Sequence, residues 1–306
     1  MHSGGLCYNF IEFKKYIKGG SIMEFFELIK ALILGIVEGL TEFAPVSSTG
    51  HQILVDDMWL QTKEVLGSQE SANTFKIVIQ LGSIFAAAWI FRHRFLEMFH
   101  LEKDKTPHPS GKKLNLLHVF IGLLPAGIMG LLFDDFIDAH LFSVPTVLVG
   151  LALGALLMIA ADLYAKKVPN PTTVDEISYK NALIIGIAQC LALWPGFSRS
   201  GSTISTGVLL KMNHKAASDF TFIMAVPIMF AASAKSLISN IEYIESNQIM
   251  FYLVGFIGAF IFGVLSIQLF LNLINRVKLI PFAIYRLVLV TVIAILYYGF
   301  GIGHGI

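Results

Sequence analysis

The stretch "EGLTEFAPVSSTGH", residues 38 to 51, places carboxylates, hydroxyl groups and an imidazole directly after the apolar run "LIKALILGIV". Glu38 and Glu42 are four residues apart, so on a helix they share one face. Each carboxylate would cost about 2.5 to 3.5 kcal/mol in hydrocarbon, so the pair needs water, a proton or a cation. We expect at least one raised pKa unless a metal neutralises both carboxylates. The pair therefore predicts a functional site.

The residues after the carboxylates predict a break in the helix and a second, short helix. The first helix must end near Pro45, because a residue that precedes proline is disfavoured in the α region. Ser47, Ser48 or Thr49 can cap the next helix, and its unpaired amides form an anion site. These hydroxyl groups could act as caps alone or bind substrate. The imidazole of His51, beside two carboxylates, favours general acid and base catalysis.

A second polar stretch, "WPGFSRSGST" at 194 to 203, carries the only arginine of the two interrupted segments. The planar guanidinium of Arg199 suits bidentate binding of a phosphate group. Neighbouring hydroxyl groups and amides could bind the same anion. The candidates are Ser198, Ser200, Ser202 and Thr203. Alternatively, Arg199 could form an ion pair with Glu38 or Glu42 that holds the two segments together, and both roles are compatible.

The composition is that of a polytopic membrane protein: 55% of residues are hydrophobic, 14% are charged and the mean hydropathy is +0.71. The net charge of +1 gives no indication of nucleic-acid binding, and two cysteines provide no disulfide framework. Residues 1–22 do not resemble a signal peptide, so we expect an extension outside the fold, with Met23 an equally suitable start.

Six apolar runs have the ~20 residues that a span needs. They cover about 72–91, 114–133, 144–164, 218–238, 250–272 and 281–300.

Two further apolar stretches, about 24–43 and 180–194, are each interrupted by proline and small polar residues, which predicts re-entrant hairpins. Residues 31–50 align with 182–201 at an offset of 151, with eight identities in twenty. A hairpin plus three spans in each half inverts the second copy. We therefore predict an all-α polytopic membrane protein with six transmembrane helices and two re-entrant helix-loop-helix hairpins in an inverted-topology repeat. The repeats would be 23–165 and 166–306, within one integral membrane domain.

Lysine and arginine are distributed asymmetrically between the loops. The loops that include 92–113 carry 13, whereas the opposite loops carry only Lys63. The positive-inside rule then places 92–113 in the cytoplasm and opens the first hairpin outward. Three lysines in the first 22 residues oppose this topology, unless translation starts at Met23.

The two polar stretches together closely resemble the undecaprenyl-pyrophosphate phosphatase family of the bacitracin-resistance type, and "IQLGSI" (79–84) and "IPFAIYR" (280–286) match it too. The resemblance covers nearly the whole chain from about Met23. It implies a multi-pass phosphatase of the bacterial plasma membrane that needs a divalent cation, Mg²⁺ or Ca²⁺. Such an enzyme removes the terminal phosphate of a C55 polyprenyl diphosphate and so recycles the lipid carrier for peptidoglycan synthesis.

Carried over to this chain, the family's essential residues are Glu38, Glu42, Ser48, His51 and Arg199, with Ser198 and Thr203 beside the arginine. In the expected scheme, Ser48 or a metal-activated water attacks the terminal phosphorus and His51 is the general acid and base. Glu38 and Glu42 would hold the metal or orient His51. Direct attack by His51 through a phosphohistidine is the open variant, and a homodimer is also open.

Two other classes of protein share some of these features. Inverted repeats with broken helices are typical of secondary transporters, so a transporter or flippase of an anionic polyprenyl lipid is the main alternative. The other membrane lipid-phosphatase superfamily requires K-x₆-R-P, which is absent, and a histidine where this chain has Ser205. The lack of H-E-x-x-H disfavours a metalloprotease even more strongly.

Overall fold

The computed structural model describes residues 25–102, 113–166 and 171–301. These residues fold into α-helices joined by short connections. The first helix, α1, covers 25 to 41. The others are α2 (Ser48–Gln52), α3 (Thr62–Leu66), α4 (Gln69–Ile90), α5 (Arg92–Met98), α6 (Leu116–Leu141), α7 (Val144–Ala165), α8 (Tyr179–Gln189), α9 (Arg199–Leu209), α10 (His214–Ser239), α11 (Ile249–Val277) and α12 (Ile280–Ala294).

Within the described ranges, six helices are long and apolar enough to cross a membrane. They match the six predicted spans, so that prediction is confirmed. Their apolar segments are Gln69–Ile90, Leu116–Phe133, Val144–Ala165, His214–Ser239, Ser246–Val277 and Ile280–Gly299. The predicted extension at 1–22 lies outside the described residues, as does 103–112 within the long basic loop.

Both interrupted apolar segments break where the sequence predicts. After α1 the chain turns over residues 42–46, and Ser47 caps α2, which continues as a π-helical stretch, Ile53–Leu60. After α8 a short 3₁₀ turn, Cys190–Leu193, precedes Pro195, and Ser198 caps α9. In both segments a proline ends the helical path and a serine starts the next helix.

Polar side chains fix the beginnings of five further helices. Each accepts a hydrogen bond from the amide of the residue three positions later, which satisfies one of the unpaired amides of the first turn. They are Ser68, Asn115, Ser143, Ser178 and Asn213. In a chain this apolar, such caps place each helix start at a defined residue.

Glycines allow the interrupted helices to pack closely on the spans. A Cβ on Gly35 of α1 would overlap the carbonyl oxygen of Gly255 in α11, and a Cβ on Gly186 of α8 would overlap that of Gly122 in α6. Small residues let membrane helices approach at backbone distance. Gly35 and Gly186 are 151 positions apart, which is the offset of the sequence repeat. Each half therefore contributes an interrupted helix that packs on a span of the other half.

We predict that Gly35→Ala destabilises the protein, because the added methyl group must push α1 away from α11. Overpacking of this kind costs about 1 to 3 kcal/mol, which thermal unfolding of the detergent-solubilised protein would detect. Gly127→Ala is the matched control, since a Cβ there meets nothing within 4 Å. Equal melting temperatures for the two variants would contradict the close crossing.

Candidate active site

An ion pair joins the two interrupted segments. Nη2 of Arg199, at the start of α9, donates to Oε1 of Glu42 across 3.2 Å. A second contact lies beside it, where the hydroxyl of Ser200 donates to the carbonyl of Ala44 at 3.2 Å. The expected ion pair is therefore present, and its partner is Glu42. The first loop is defined here as 42–46 with the helix α2 that follows it, and the second loop as 194–198 with the first turn of α9; these two contacts join them.

The hydroxyl of Ser48 has a carboxylate as its acceptor. Its Oγ donates to Oε2 of Glu42 over 2.7 Å, while the other oxygen of Glu42 accepts from Arg199. A carboxylate in this position can accept the serine proton when the serine attacks an electrophile. The arrangement thus joins a hydroxyl group and a guanidinium through one carboxylate.

Glu38 is fully buried one helical turn before Glu42. Its Oε2 accepts a 2.7 Å hydrogen bond from Gln52, whereas Oε1 has no hydrogen-bond partner among the described residues. Burial, and after it the neighbouring Glu42 carboxylate, raise the pKa of Glu38 well above its ordinary value. The unpartnered oxygen marks the place that a proton or a cation would occupy.

His51 is oriented by groups other than the two glutamates. Its Nδ1 lies 2.8 Å from the carbonyl oxygen of Ser47, and its Nε2 lies 2.7 Å from the hydroxyl of Tyr285. The His51 and Tyr285 rings stack at 5.6 Å with an interplanar angle of 11°. Neither ring nitrogen bonds to Glu38 or Glu42, so the alternative in which the glutamates orient His51 is not what the structure shows.

Ser47 and Ser198 have nearly the same backbone conformation, with φ and ψ of 70° and 102° and of 74° and 118°. Non-glycine residues rarely adopt a positive φ, and such strain is concentrated at functional sites. Each side chain accepts from an amide three residues later, of Gly50 and of Gly201. Both serines therefore serve as caps, and the role of either in substrate binding stays a prediction.

The remaining predicted substrate-binding residues lie at different depths. Thr49 is half-buried and lines a cavity. Ser200 is buried at the junction of the two loops, and Ser198 lies 3.2 Å from its hydroxyl. Thr203 and Ser202 are fully buried, and both donate to the carbonyl of Arg199. These two hydroxyl groups therefore contact the backbone of Arg199 within α9.

A cavity of about 840 Å³ reaches Ser48 and Thr49 from the side where α4 and α7 begin. Its wall includes an ion cluster, in which Nζ of Lys76 lies 3.1 Å from Asp56 and 2.7 Å from Asp57. Sequence reasoning missed this cluster. A lysine inside a predicted span was the available signal, since ionisable residues in membrane segments face the protein interior or a watery cavity.

Tyr285 and Arg286 were also missed as site residues. Both belong to "IPFAIYR", which matched the family only as a motif. Arg286 is fully buried, and its Nη2 donates to the carbonyls of Gly196 and Phe197 at 2.8 and 2.9 Å. A buried arginine in a span was the available signal, but the sequence could not show which loop it contacts.

The donor set at the two glutamates suits a hydrated cation. No group of three or more His, Cys, Asp or Glu side chains that could hold a metal occurs among the described residues. Mg²⁺, however, often binds through one or two carboxylates and keeps several waters. The orphaned Oε1 of Glu38, beside the carboxylate of Glu42, fits that mode of binding.

The described residues define a polytopic helical membrane protein whose interrupted helices bring a serine, carboxylates and an arginine together. The chain belongs to the family of the bacitracin resistance protein BacA, whose family model matches residues 31–292. It is 85% identical over 284 residues to an undecaprenyl-diphosphatase of Macrococcus caseolyticus, with 93% of this chain and 100% of the relative covered. Undecaprenyl-diphosphatases of Staphylococcus haemolyticus and Staphylococcus aureus strain MRSA252 are each 67% identical, over 92% of this chain and 98% and 99% of their own lengths.

The ion pair between the loops predicts energetic coupling between Glu42 and Arg199. Removing one partner of a buried pair leaves an uncompensated charge, so we expect Glu42→Ala and Arg199→Ala each to lower the melting temperature clearly. The double variant should lose less than the sum, with a coupling energy of about 0.5 to 3 kcal/mol. Glu42→Ala combined with Thr291→Ala on the exposed part of α12 is the additive control. Additivity in both cycles would show that the loops do not interact.

Proposed function

We propose that this chain is an undecaprenyl-diphosphatase, which hydrolyses undecaprenyl diphosphate to undecaprenyl phosphate and inorganic phosphate. Its family and its relatives at 67% to 85% identity support this activity. The observation that carries the chemistry is the chain of contacts from Ser48 through Glu42 to Arg199. By this activity the enzyme would recycle the lipid carrier of cell-wall synthesis and confer bacitracin resistance.

In the proposed reaction, Oγ of Ser48 attacks the terminal phosphorus and its proton passes to Glu42. The bond between that phosphorus and the bridging oxygen breaks, and undecaprenyl phosphate leaves. Glu42 passes that proton to the departing undecaprenyl phosphate, so it can accept a proton from the water that then attacks the phosphoserine. Glu42 returns this second proton to Oγ of Ser48 as inorganic phosphate is released. Arg199 and the amides at the starts of α2 and α9 would stabilise the charge on the transferred group.

Two alternative nucleophiles remain from the sequence. A water molecule could attack directly, and Glu42 would accept its proton in the same way. Attack by His51 is disfavoured, because both of its ring nitrogens are hydrogen-bonded, one to a carbonyl and the other to Tyr285. These contacts assign His51 to holding the carbonyl that precedes Ser48, and its role as general acid and base stays a prediction.

A divalent cation would be held by Glu38 and Glu42. When bound, it would neutralise charge on the diphosphate and polarise the phosphorus-oxygen bond. Gln52 of α2 donates to Oε2 of Glu38 and so would hold one of these two carboxylates in place. The hydroxyl groups of Ser47 and Thr49, and those of Ser198, Ser200 and Thr203, would line or support the phosphate site around it.

The topology proposed for the chain is an inverted repeat with two re-entrant segments. The matched conformations of Ser47 and Ser198, and the equivalent crossings at Gly35 and Gly186, support it. The cavity reaches Ser48 from the side that the positive-inside rule assigns to the outside. The enzyme would thus act in the plasma membrane on a headgroup at its outer face, with the polyprenyl tail in lipid.

Phosphate release from undecaprenyl diphosphate by the purified protein in detergent tests the activity. We expect turnover by the wild type that falls on the order of 10²- to 10³-fold in Arg199→Ala, and at least as far in Ser48→Ala. Thr291→Ala is the control and should keep wild-type turnover. A folded wild type that releases no phosphate with Mg²⁺ present would overturn the proposal. If reconstituted protein then moved the lipid between leaflets, the transporter alternative would take its place.

Metal removal tests the proposed cation site. EDTA should abolish phosphate release, and added Mg²⁺ or Ca²⁺ should restore it. In Glu38→Gln we expect the concentration of Mg²⁺ that gives half-maximal rate to rise about 10- to 100-fold, because one carboxylate ligand is lost. An unchanged Mg²⁺ requirement in this variant would remove Glu38 from the metal site.

A further inference from the structure

Tyr285 fixes the orientation of the His51 ring, and the backbone carbonyl of Ser47 sets its tautomer. A backbone carbonyl can only accept a hydrogen bond, so Nδ1 of His51, 2.8 Å from the oxygen of Ser47, must carry hydrogen. The neutral ring then presents the lone pair of Nε2, which accepts the hydrogen bond from the Tyr285 hydroxyl. The stacked rings also fix the rotation of the imidazole. Ser47 therefore sets the tautomer of His51, and Tyr285 fixes the orientation of its ring on α2.

Arg286, the next residue, holds the second loop. Its Nη2 donates to the carbonyls of Gly196 and Phe197, immediately before the cap of α9. Glycines make room for it, since a Cβ on Gly154 would overlap the guanidinium and a Cβ on Gly201 would lie 2.9 Å from Nη1. The loop that presents Arg199 is thus fixed at its backbone by a charged side chain of another helix.

The charge of Arg286 has no obvious structural use. Within the described ranges no carboxylate forms an ion pair with it, and its Nε has no hydrogen-bond partner. Burying an uncompensated guanidinium is costly, and neutral donors could bind carbonyls at lower cost. An anion bound at the second loop would compensate this charge. The unpaired charge of Arg286 therefore favours an anionic ligand at the second loop that its carbonyl contacts hold, and in the proposed reaction that ligand is the diphosphate headgroup.

We propose that Tyr285 and Arg286 are positioning residues for the phosphatase reaction, which set the two loops of the site in register from adjacent positions on α12. Tyr285 and Arg286 are consecutive, so their Cα atoms are about 3.8 Å apart. Because one residue contacts His51 and the other contacts the backbone before Arg199, this short distance on a packed helix fixes the spacing between those two parts of the site. Neither residue needs to touch the reacting phosphorus. This inference rests on the proposed function, because its readout is the phosphatase rate.

The test compares Tyr285→Phe, Arg286→Lys and Arg286→Met with wild type in the phosphate-release assay, using purified full-length protein and undecaprenyl diphosphate. Tyr298→Phe is the matched control, a tyrosine with 64% exposure at the end of the same span. We expect kcat of Tyr285→Phe to fall about 10- to 100-fold with KM nearly unchanged. Arg286→Lys, which keeps the charge but not the two-carbonyl contact, should show the same pattern. Arg286→Met should also raise KM.

Melting temperatures separate positioning from folding. The Tyr285→Phe variant loses one oxygen atom and should unfold within a few degrees of wild type, so a lower kcat in it is not a folding defect. Wild-type kcat in both Tyr285→Phe and Arg286→Lys would overturn the inference, even if Arg286→Met failed to fold. Failure of the proposed function is distinguishable, because wild type and Tyr298→Phe would then also release no phosphate.

Discussion

The contact between Glu42 and Arg199 is the interaction on which the rest of the site depends. It joins two segments that are 157 residues apart and largely withdrawn from solvent, with side-chain exposures of 8% and 12%. Such a pair contributes little net stability, because desolvation offsets much of the Coulomb attraction. Its value is geometric: the same carboxylate accepts from Ser48, so the Ser48 hydroxyl and the Arg199 guanidinium keep a fixed separation. A phosphate bound by Arg199 would lie next to the Ser48 hydroxyl, the nucleophile of the proposed reaction.

The surrounding fold keeps that contact in place. Glycine crossings bring α1 and α8 against spans of the opposite half, and strained serine caps turn both loops toward each other. The helix α12 then contacts both loops through adjacent residues. These features range from backbone conformation to packing to charge, and each limits the same distance between the loops.

Much of this arrangement could be predicted from the sequence, and the reasons for the rest are physical. Hydropathy locates all six spans, and proline followed by a serine locates both breaks, because these are local properties of the chain. The pairing of Arg199 with Glu42 rather than Glu38 depends on side-chain direction within a packed site. The partners of His51 come from Tyr285, 234 residues away, and no local pattern shows such a contact. The ion cluster at Lys76 was visible as a charge in a span, but its aspartate partners and the cavity were not.

The structure of the protein with Mg²⁺ and vanadate, determined by electron cryomicroscopy, would test the central claim most directly, because vanadate mimics a phosphoryl group in transfer. We expect vanadium bonded to Oγ of Ser48, with a vanadate oxygen bound by Arg199, so that both loops contact one ligand. Vanadate bonded to His51, or bound at one loop while Arg199 stays remote, would contradict a single site built from the two loops.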